Sequence, residues 1–211
     1  LGSDDALKRL AAERTEAART LRAAAETLTA ARRAAGDQLA ASVCAELADL
    51  GMGGATLVVG LTPLTAGIDV GRGAFVGPRG ADRVELRLSA NPGETPGPLE
   101  RIASGGELSR FMLAVKQVIA ARDPVPIYIF DEVDTGVGGP TAGAIGAKLR
   151  AVSQQRQALC ITHLPQIAAM GDAHLHVSKQ TADGRTRSVV ERLTRKGRVE
   201  EIAATVHYLV G

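Results

Sequence analysis

The sequence predicts an α/β chain built from a long helix, a short strand-rich stretch, and a lobe in which strands alternate with helices around a parallel sheet. Three observations lead there. Residues from about Asp4 to Asp49 are Ala, Leu, Arg and Glu with almost no helix breakers. Two short apolar runs, Ile127-Tyr128-Ile129-Phe130 and Ala158-Leu159-Cys160-Ile161, end in residues able to do chemistry, Asp131-Glu132 and Thr162-His163. Around these runs apolar residues recur at helical spacing, and that alternation is confined to the second half of the chain.

Taken in order, Leu7, Leu10, Ala17, Leu21, Ala24, Leu28, Ala31 and Ala35 follow a seven-residue apolar repeat, the pattern of a coiled-coil strand. An amphipathic helix packed on its own domain is the alternative reading. Gly51-Met52-Gly53-Gly54 breaks the helix, Thr56–Val59 opens strand-rich territory, and Val84–Leu88 alternates apolar with charged residues as a half-exposed strand does. Pro and Gly mark 91–98 as a loop, and Leu108, Met112, Val115 and Ile119 set a helix over 108–121. Next come strand Ile127–Phe130, helix 142–152, strand Ala158–Ile161, a short helix near Gln166–Met170, strands near His174–Val177 and Ser188–Leu193, and a terminal helix over 199–209. The uninterrupted apolar run after Pro126 reads as a strand buried on both faces, so its acids emerge where open α/β sheets place ligands.

Composition narrows the function classes. Aromatic residues make up only 2% of the 211, so the core must be aliphatic, and a net charge of +2 gives no field on which to argue nucleic-acid binding. The two cysteines, Cys44 and Cys160, lack metal-ligand spacing and read as reduced core residues. No apolar run approaches the roughly 20 residues a bilayer requires, so no membrane partner is expected and the cytoplasm is the expected compartment.

The candidate chemistry lies in four places. Ser104-Gly105-Gly106 stands directly before a helix, where backbone N–H groups and the helix's positive end favour an anion; a plain cap and turn, with Glu107 placed early by the dipole, is the other reading. Asp131 and Glu132 are adjacent at a strand end, so their side chains are expected to leave on opposite faces and to serve different roles, unless they simply meet solvent. Asp134 is either a turn former or a working acid, and His163 either structural or a hydrogen-bonding group at the sheet edge. Arg110 either relays contacts from the turn or pairs with an acid, and His174 with His176 reads as a surface pair. The phosphate-cradling pattern Gly-x-x-x-x-Gly-Lys-Ser/Thr does not occur in the chain.

In order and spacing, Ala103-Ser104-Gly105-Gly106-Glu107-Leu108-Ser109-Arg110, Phe130-Asp131-Glu132-Val133-Asp134-Thr135-Gly136 and Cys160-Ile161-Thr162-His163-Leu164-Pro165-Gln166 resemble the signature, the Walker B with D-loop, and the switch-histidine loop of ABC-type ATPase heads. Glu107 in place of the usual Gln, and Asn91-Pro92-Gly93-Glu94 ahead of the signature, favour the bacterial RecN family, relatives of the SMC proteins. The resemblance implies the C-terminal lobe of an ABC/SMC-type P-loop ATPase head with a mixed β-sheet over residues 51–211, preceded over residues 4–50 by one strand of an antiparallel coiled-coil arm, the chain beginning partway down that arm. It implies ATP and Mg²⁺, with Asp131 in the metal's shell, Glu132 polarising the attacking water and His163 sensing the γ-phosphate. Ser104, Gly105, Gly106 and Glu107 would reach the nucleotide of a second head, and Asp134 would couple the two sites. The implied partners are an N-terminal half carrying Walker A, a second copy through the heads, and double-strand DNA ends in the nucleoid; the chain alone would not hydrolyse ATP. Three other readings fit less of the sequence: a non-catalytic interaction module, half of a transporter's nucleotide-binding domain, and a metal-dependent hydrolase built on Asp131, Glu132, Asp134 and His163.

Overall fold

The computed structural model describes residues 2–102, 104–182 and 185–210. Leu1 and Ala103, the latter the first residue of the expected signature, lie outside the described residues. Helix α1 (Gly2–Asp49) runs 48 residues, about 72 Å at 1.5 Å per residue. It ends where Gly51 takes a φ of +73° and the N–H groups of Leu50 and Met52 both reach the carbonyl of Leu47, closing the last turn.

The chain forms two compact units that cut across the expected division into arm and head. One combines α1 up to Cys44 with Ala55–Ile102, and the other combines Ala45–Gly54 with the residues from Ser104 onward. The reason lies in α1 itself. Its apolar stripe is not free along its whole length, because Ala18, Leu21 and Ala25 pack against Val70, Ala74, Val76 and Ala81 of the same unit. Farther along, the Thr29 hydroxyl donates to Asp82 (2.6 Å), Arg32 donates to the carbonyl of Arg79 (2.6 Å), and Gly36 lets the helix approach Val59. The alternative of a helix on its own domain therefore describes the middle of α1, whereas Leu7 and Leu10 stand 61% and 57% exposed, as a coiled-coil seam without its mate would.

In this first unit β1 (Thr56–Pro63) pairs antiparallel with β4 (Asp82–Ser89), from Thr56 opposite Ser89 to Pro63 opposite Asp82, and β4 carries the short β5 (Gly97–Pro98) on its other edge. The ribbon of β2 (Ile68–Asp69) and β3 (Phe75–Val76) brings Val76, with Val70 and Ala74 of the turn between the strands, against α1.

The second unit holds α2 (Gly105–Ile119), β6 (Ile127–Phe130), α3 (Gly139–Ser153), β7 (Gln157–Cys160), α4 (Pro165–Ala168), β8 (Leu175–Ala182), β9 (Arg185–Arg192) and α5 (Arg195–Val210). Strands β6 and β7 pair in parallel, from Ile127 opposite Gln157 to Phe130 opposite Cys160, and α3 packs against α2, α4 and β7. Phe111, Leu113, Val133, Ile145 and Val152 are fully buried.

Four expectations are corrected here. Strand β6 is buried on one face only: Tyr128 and Phe130 point inward, while Ile127 and Ile129 are 50% and 68% exposed, joined by Leu159 and Ile161 at 45% and 55%. An aliphatic run is equally compatible with one packed face or two, and composition cannot distinguish them. Helix α2 begins earlier than expected and buries Gly106, Arg110, Phe111, Leu113, Ala114 and Val115 instead of Met112, which is exposed, because its packing follows the turn after β6 as much as the apolar stripe. The last two strands form an antiparallel hairpin longer than their apolar cores. His174 and His176 are half-buried and not a surface pair; His176 Nε2 stands 3.7 Å from Glu201, and His174 Nδ1 is buried without a hydrogen-bond partner.

Two polar clusters fasten the second unit. Lys148 on α3, its side chain 14% exposed, donates to Glu46 (2.6 Å) and Asp49 (2.8 Å) at the end of α1. Asp123 accepts from Lys116 (2.5 Å) and from the N–H of Val125 (3.0 Å), which ties the exit of α2 to the start of β6, and the Lys116 ammonium also lies 4.8 Å from the centre of the Tyr128 ring. Replacing Lys148 by Ala removes two charge-assisted bonds and is expected to lower stability by about 1–3 kcal/mol in urea denaturation. The Lys116 ammonium, then the Val125 N–H, hold the Asp123 carboxyl down at about 2 against an ordinary 3.8. A depressed carboxyl contributes stability above its unfolded value and loses it as pH falls through the folded one. Stability is therefore expected to drop on acidification from pH 4 toward 2, and Asp123→Asn is expected to flatten that part of the pH profile.

Candidate functional site

Strand β6 ends at Phe130, so Asp131 and Glu132 belong to the turn that follows it, not to the strand. Strand alternation therefore does not decide where their side chains go. Instead Glu132 adopts a left-handed backbone with φ +59°, unusual for a residue with a Cβ. The turn is closed by a Thr135 N–H bond to the Glu132 carbonyl (3.0 Å) and anchored by the fully buried Val133.

Helix α2 grips this turn at both ends. The Ser109 hydroxyl donates to the carbonyl of Asp131 (2.6 Å), and the next residue, Arg110, donates from Nη1 to the carbonyl of Thr135 (2.9 Å). Arg110 is buried, and burial pushes its guanidinium below its ordinary pKa, with Glu107 opposing. Of the two roles read for it, pairing with an acid gives way to holding a backbone carbonyl. At the start of the helix, Ser104 is extended and its Oγ accepts from the N–H of Glu107 (3.4 Å), an N-cap.

The two glycines after Ser104 have a use the sequence reading did not include. The Glu132 carboxylate lies against Gly105, where a Cβ would collide with it. A Cβ on Gly106 would stand 3.0 Å from both Cβ and O of Thr135. The Ser-Gly-Gly motif is thus the surface on which the acid-bearing turn rests, as well as a helix start.

The expected site residues separate into exposed and buried acids. Asp131 and Glu132 are exposed, and one Asp131 oxygen accepts from the Glu132 N–H (2.9 Å). Asp134 is 3% exposed, and its Oδ2 accepts from the Thr162 hydroxyl (2.5 Å) and the His163 N–H (3.0 Å), with His163 Nδ1 at 3.1 Å. The Asp134 carboxylate points into its own chain, where the Thr162 hydroxyl and the His163 N–H supply its donors. The His163 side chain itself is 69% exposed. At the end of β7, burial first, and then the Asp134 and Asp131 charges, push the Cys160 thiol up to about 12, which leaves it protonated and unreactive. Among the described residues no group of three or more His, Cys, Asp or Glu could hold a metal ion by itself.

Sequence reasoning gave Ser109 no role of its own and named Thr162 only beside His163. The signal for Ser109 was present: a serine inside an otherwise good helix former is disfavoured unless its hydroxyl has a partner. Thr162 had no comparable mark.

This geometry has relatives. The chain is 45% identical over 182 residues to the DNA repair protein RecN of Xylella fastidiosa, across 86% of this chain and 31% of that protein. It is 45% identical over 195 residues to RecN of Streptomyces coelicolor, across 91% and 34%. Against RecN of Halalkalibacterium halodurans the identity is 51% over 127 residues, across 60% and 22%. By sequence, the chain belongs to the RecN family. It spans about a third of the length of the two RecN proteins it matches most broadly. No protein-family model matches it. In fold, the chain is similar to the Smc head domain with a coiled coil and joint from Pyrococcus yayanosii, with a TM-score of 0.52 and 22% identity over 79% of this chain and 28% of that one. The SMC-type head fold, with a long helix leading in, is thereby established for it.

A methyl group at Gly106 would have to displace the Thr135 backbone. Gly106→Ala is expected to cost about 1–3 kcal/mol by overpacking, read as a lowered midpoint in chemical denaturation.

Proposed function

We propose that the chain is the C-terminal half of a RecN-type, SMC-like ATPase, in which two heads pair around ATP and Mg²⁺ and couple hydrolysis to binding or tethering double-strand DNA ends. The observation that carries this reading is the joining of three motifs by one set of bonds. The signature helix holds the Asp131–Thr135 turn, and that turn holds the Thr162–His163 loop. A cap, an acid pair or a histidine taken singly has an ordinary structural explanation; their convergence on one turn does not.

The residues suit ATP as substrate. A Ser104-capped helix start offers N–H groups and a positive dipole end to an anion, here the terminal phosphate held by a partner head. Asp131 presents an exposed carboxylate, and Mg²⁺ characteristically takes one or two carboxylates alongside waters and phosphates. Bound there, the ion supplies charge neutralisation at the phosphate oxygens. Glu132 is the group assigned to orient and polarise the attacking water, and His163 donates or accepts a hydrogen bond at the γ-phosphate side.

The chain's own part is incomplete. With no Gly-x-x-x-x-Gly-Lys-Ser/Thr in its sequence, the phosphate cradle has to come from an N-terminal half, and this chain alone is inactive on our reading. The bare aliphatic face of β6 and β7, bearing Ile127, Ile129, Leu159 and Ile161, supports a cover supplied by that half. The relatives' description as DNA repair proteins supports a setting on DNA, which on our reading is DNA ends in the nucleoid of the cytoplasm. Among the described residues no helix is long and apolar enough to cross a membrane.

Glu132→Gln, made in the full-length protein, is expected to keep nucleotide binding while reducing turnover to near background. ATP hydrolysis and equilibrium nucleotide binding measured side by side check it, and undiminished hydrolysis would remove Glu132 from the mechanism.

A further inference from the structure

Ser109 lies inside α2, past its first turn, yet its hydroxyl bonds outside the helix. Elsewhere in the chain Thr15, Thr27 and Thr205 each donate to the carbonyl four residues back, the usual resort of a helical hydroxyl. Ser109 instead donates to the carbonyl of Asp131, 22 residues on, at 2.6 Å. That oxygen belongs to the peptide group joining Asp131 to Glu132. We infer that Ser109 is a positioning residue for ATP hydrolysis, pinning this peptide so that Glu132 keeps its left-handed backbone and its carboxylate keeps its aim. The inference rests on the ATPase reading above for what the carboxylate then does, polarising the attacking water.

The peptide is held on both sides. Its carbonyl accepts from Ser109, and its N–H, that of Glu132, donates to Asp131 Oδ1 at 2.9 Å. The angle φ of Glu132 is rotation about the bond that leaves this peptide's nitrogen, so a fixed peptide plane fixes φ, here +59°. Half a turn of the peptide would carry Glu132 back to the negative φ that a residue with a Cβ prefers, but would point the Asp131 carbonyl away from the Ser109 hydroxyl. Ser109 therefore opposes the relaxation that the backbone otherwise favours. The same helix face receives the side chain: Gly105 lies four residues before Ser109, one turn away, and the Glu132 carboxylate rests against it. Arg110 holds the far end of the turn, at Thr135, and leaves the Asp131–Glu132 peptide to Ser109. Because its hydroxyl is engaged by a backbone oxygen, Ser109 acts through Glu132 and not on the nucleotide.

The test uses the full-length protein, with ATP turnover, equilibrium ATP binding and crystal structures of the wild type and Ser109→Ala. Ser109→Ala removes one hydroxyl and favours the helix; it is expected to lower kcat roughly 10- to 100-fold, the scale of misplacing a reacting group by about 1 Å, with the Kd for ATP within about twofold. The structure of that variant is expected to show Glu132 out of the left-handed region. Undiminished turnover, or an equal loss of ATP affinity, overturns the inference, and so does lost turnover with the Glu132 backbone unmoved. The wild-type structure decides independently of any variant's folding: Ser109 Oγ on the Asp131 carbonyl with Glu132 at positive φ is expected, and a Ser109 hydroxyl turned back to the carbonyl of Gly105 refutes it. If Glu132→Gln leaves turnover intact, the ATPase role of Glu132 is what fails, and the two structures still decide whether Ser109 sets its backbone.

Discussion

The second unit is organised around the carbonyl groups at the two ends of a five-residue turn. Asp131 O and Thr135 O are held by consecutive side chains of one helix, Ser109 and Arg110, so the turn's orientation is fixed relative to α2. Much follows from that grip. Glu132 can be kept in a left-handed backbone because the surroundings over-determine it, Val133 can be driven into the core, and Asp134 can be turned inward to meet the loop after β7. The close approach at Gly106 has the same origin, since the helix must lie against the turn closely enough to reach over it.

The candidate site therefore works as one body assembled from three separate sequence segments. Arg110 lies in the interior with a carbonyl partner for Nη1 and none for Nε, a costly placement tolerated where it fixes the acids' position. Division of labour among the acids comes from burial. Asp131 and Glu132 remain in contact with solvent and are available to ligands, while Asp134 is spent on internal order. Cys160, close to two carboxylates and held protonated, is chemically silent within the same neighbourhood.

Much of this was legible in the chain before any coordinates. Asp131-Glu132 after an aliphatic strand, Ser104-Gly105-Gly106 before a helix and Thr162-His163 after a second strand all mark strand ends and helix starts, local features that sequence encodes directly. What could not be read were facts set by tertiary contact. Whether Ile127 and Ile129 meet a second layer depends on what lies across from them, and an isoleucine has the same composition signal either way. Whether Asp134 faces outward or inward depends on donors 28 and 29 residues downstream. The seven-residue repeat of α1 similarly marks an apolar stripe without saying what covers it, and in the middle of the helix the cover is the chain's own β2–β3 ribbon.

The left-handed backbone at Glu132 has an evolutionary corollary. A side chain with a Cβ in that region carries a standing conformational penalty, of order 1–2 kcal/mol, that glycine would not. Selection for heat tolerance alone, with no demand on catalysis, should favour lineages that trade this glutamate for glycine. The backbone at this position would be better served by glycine than by the glutamate that stands there.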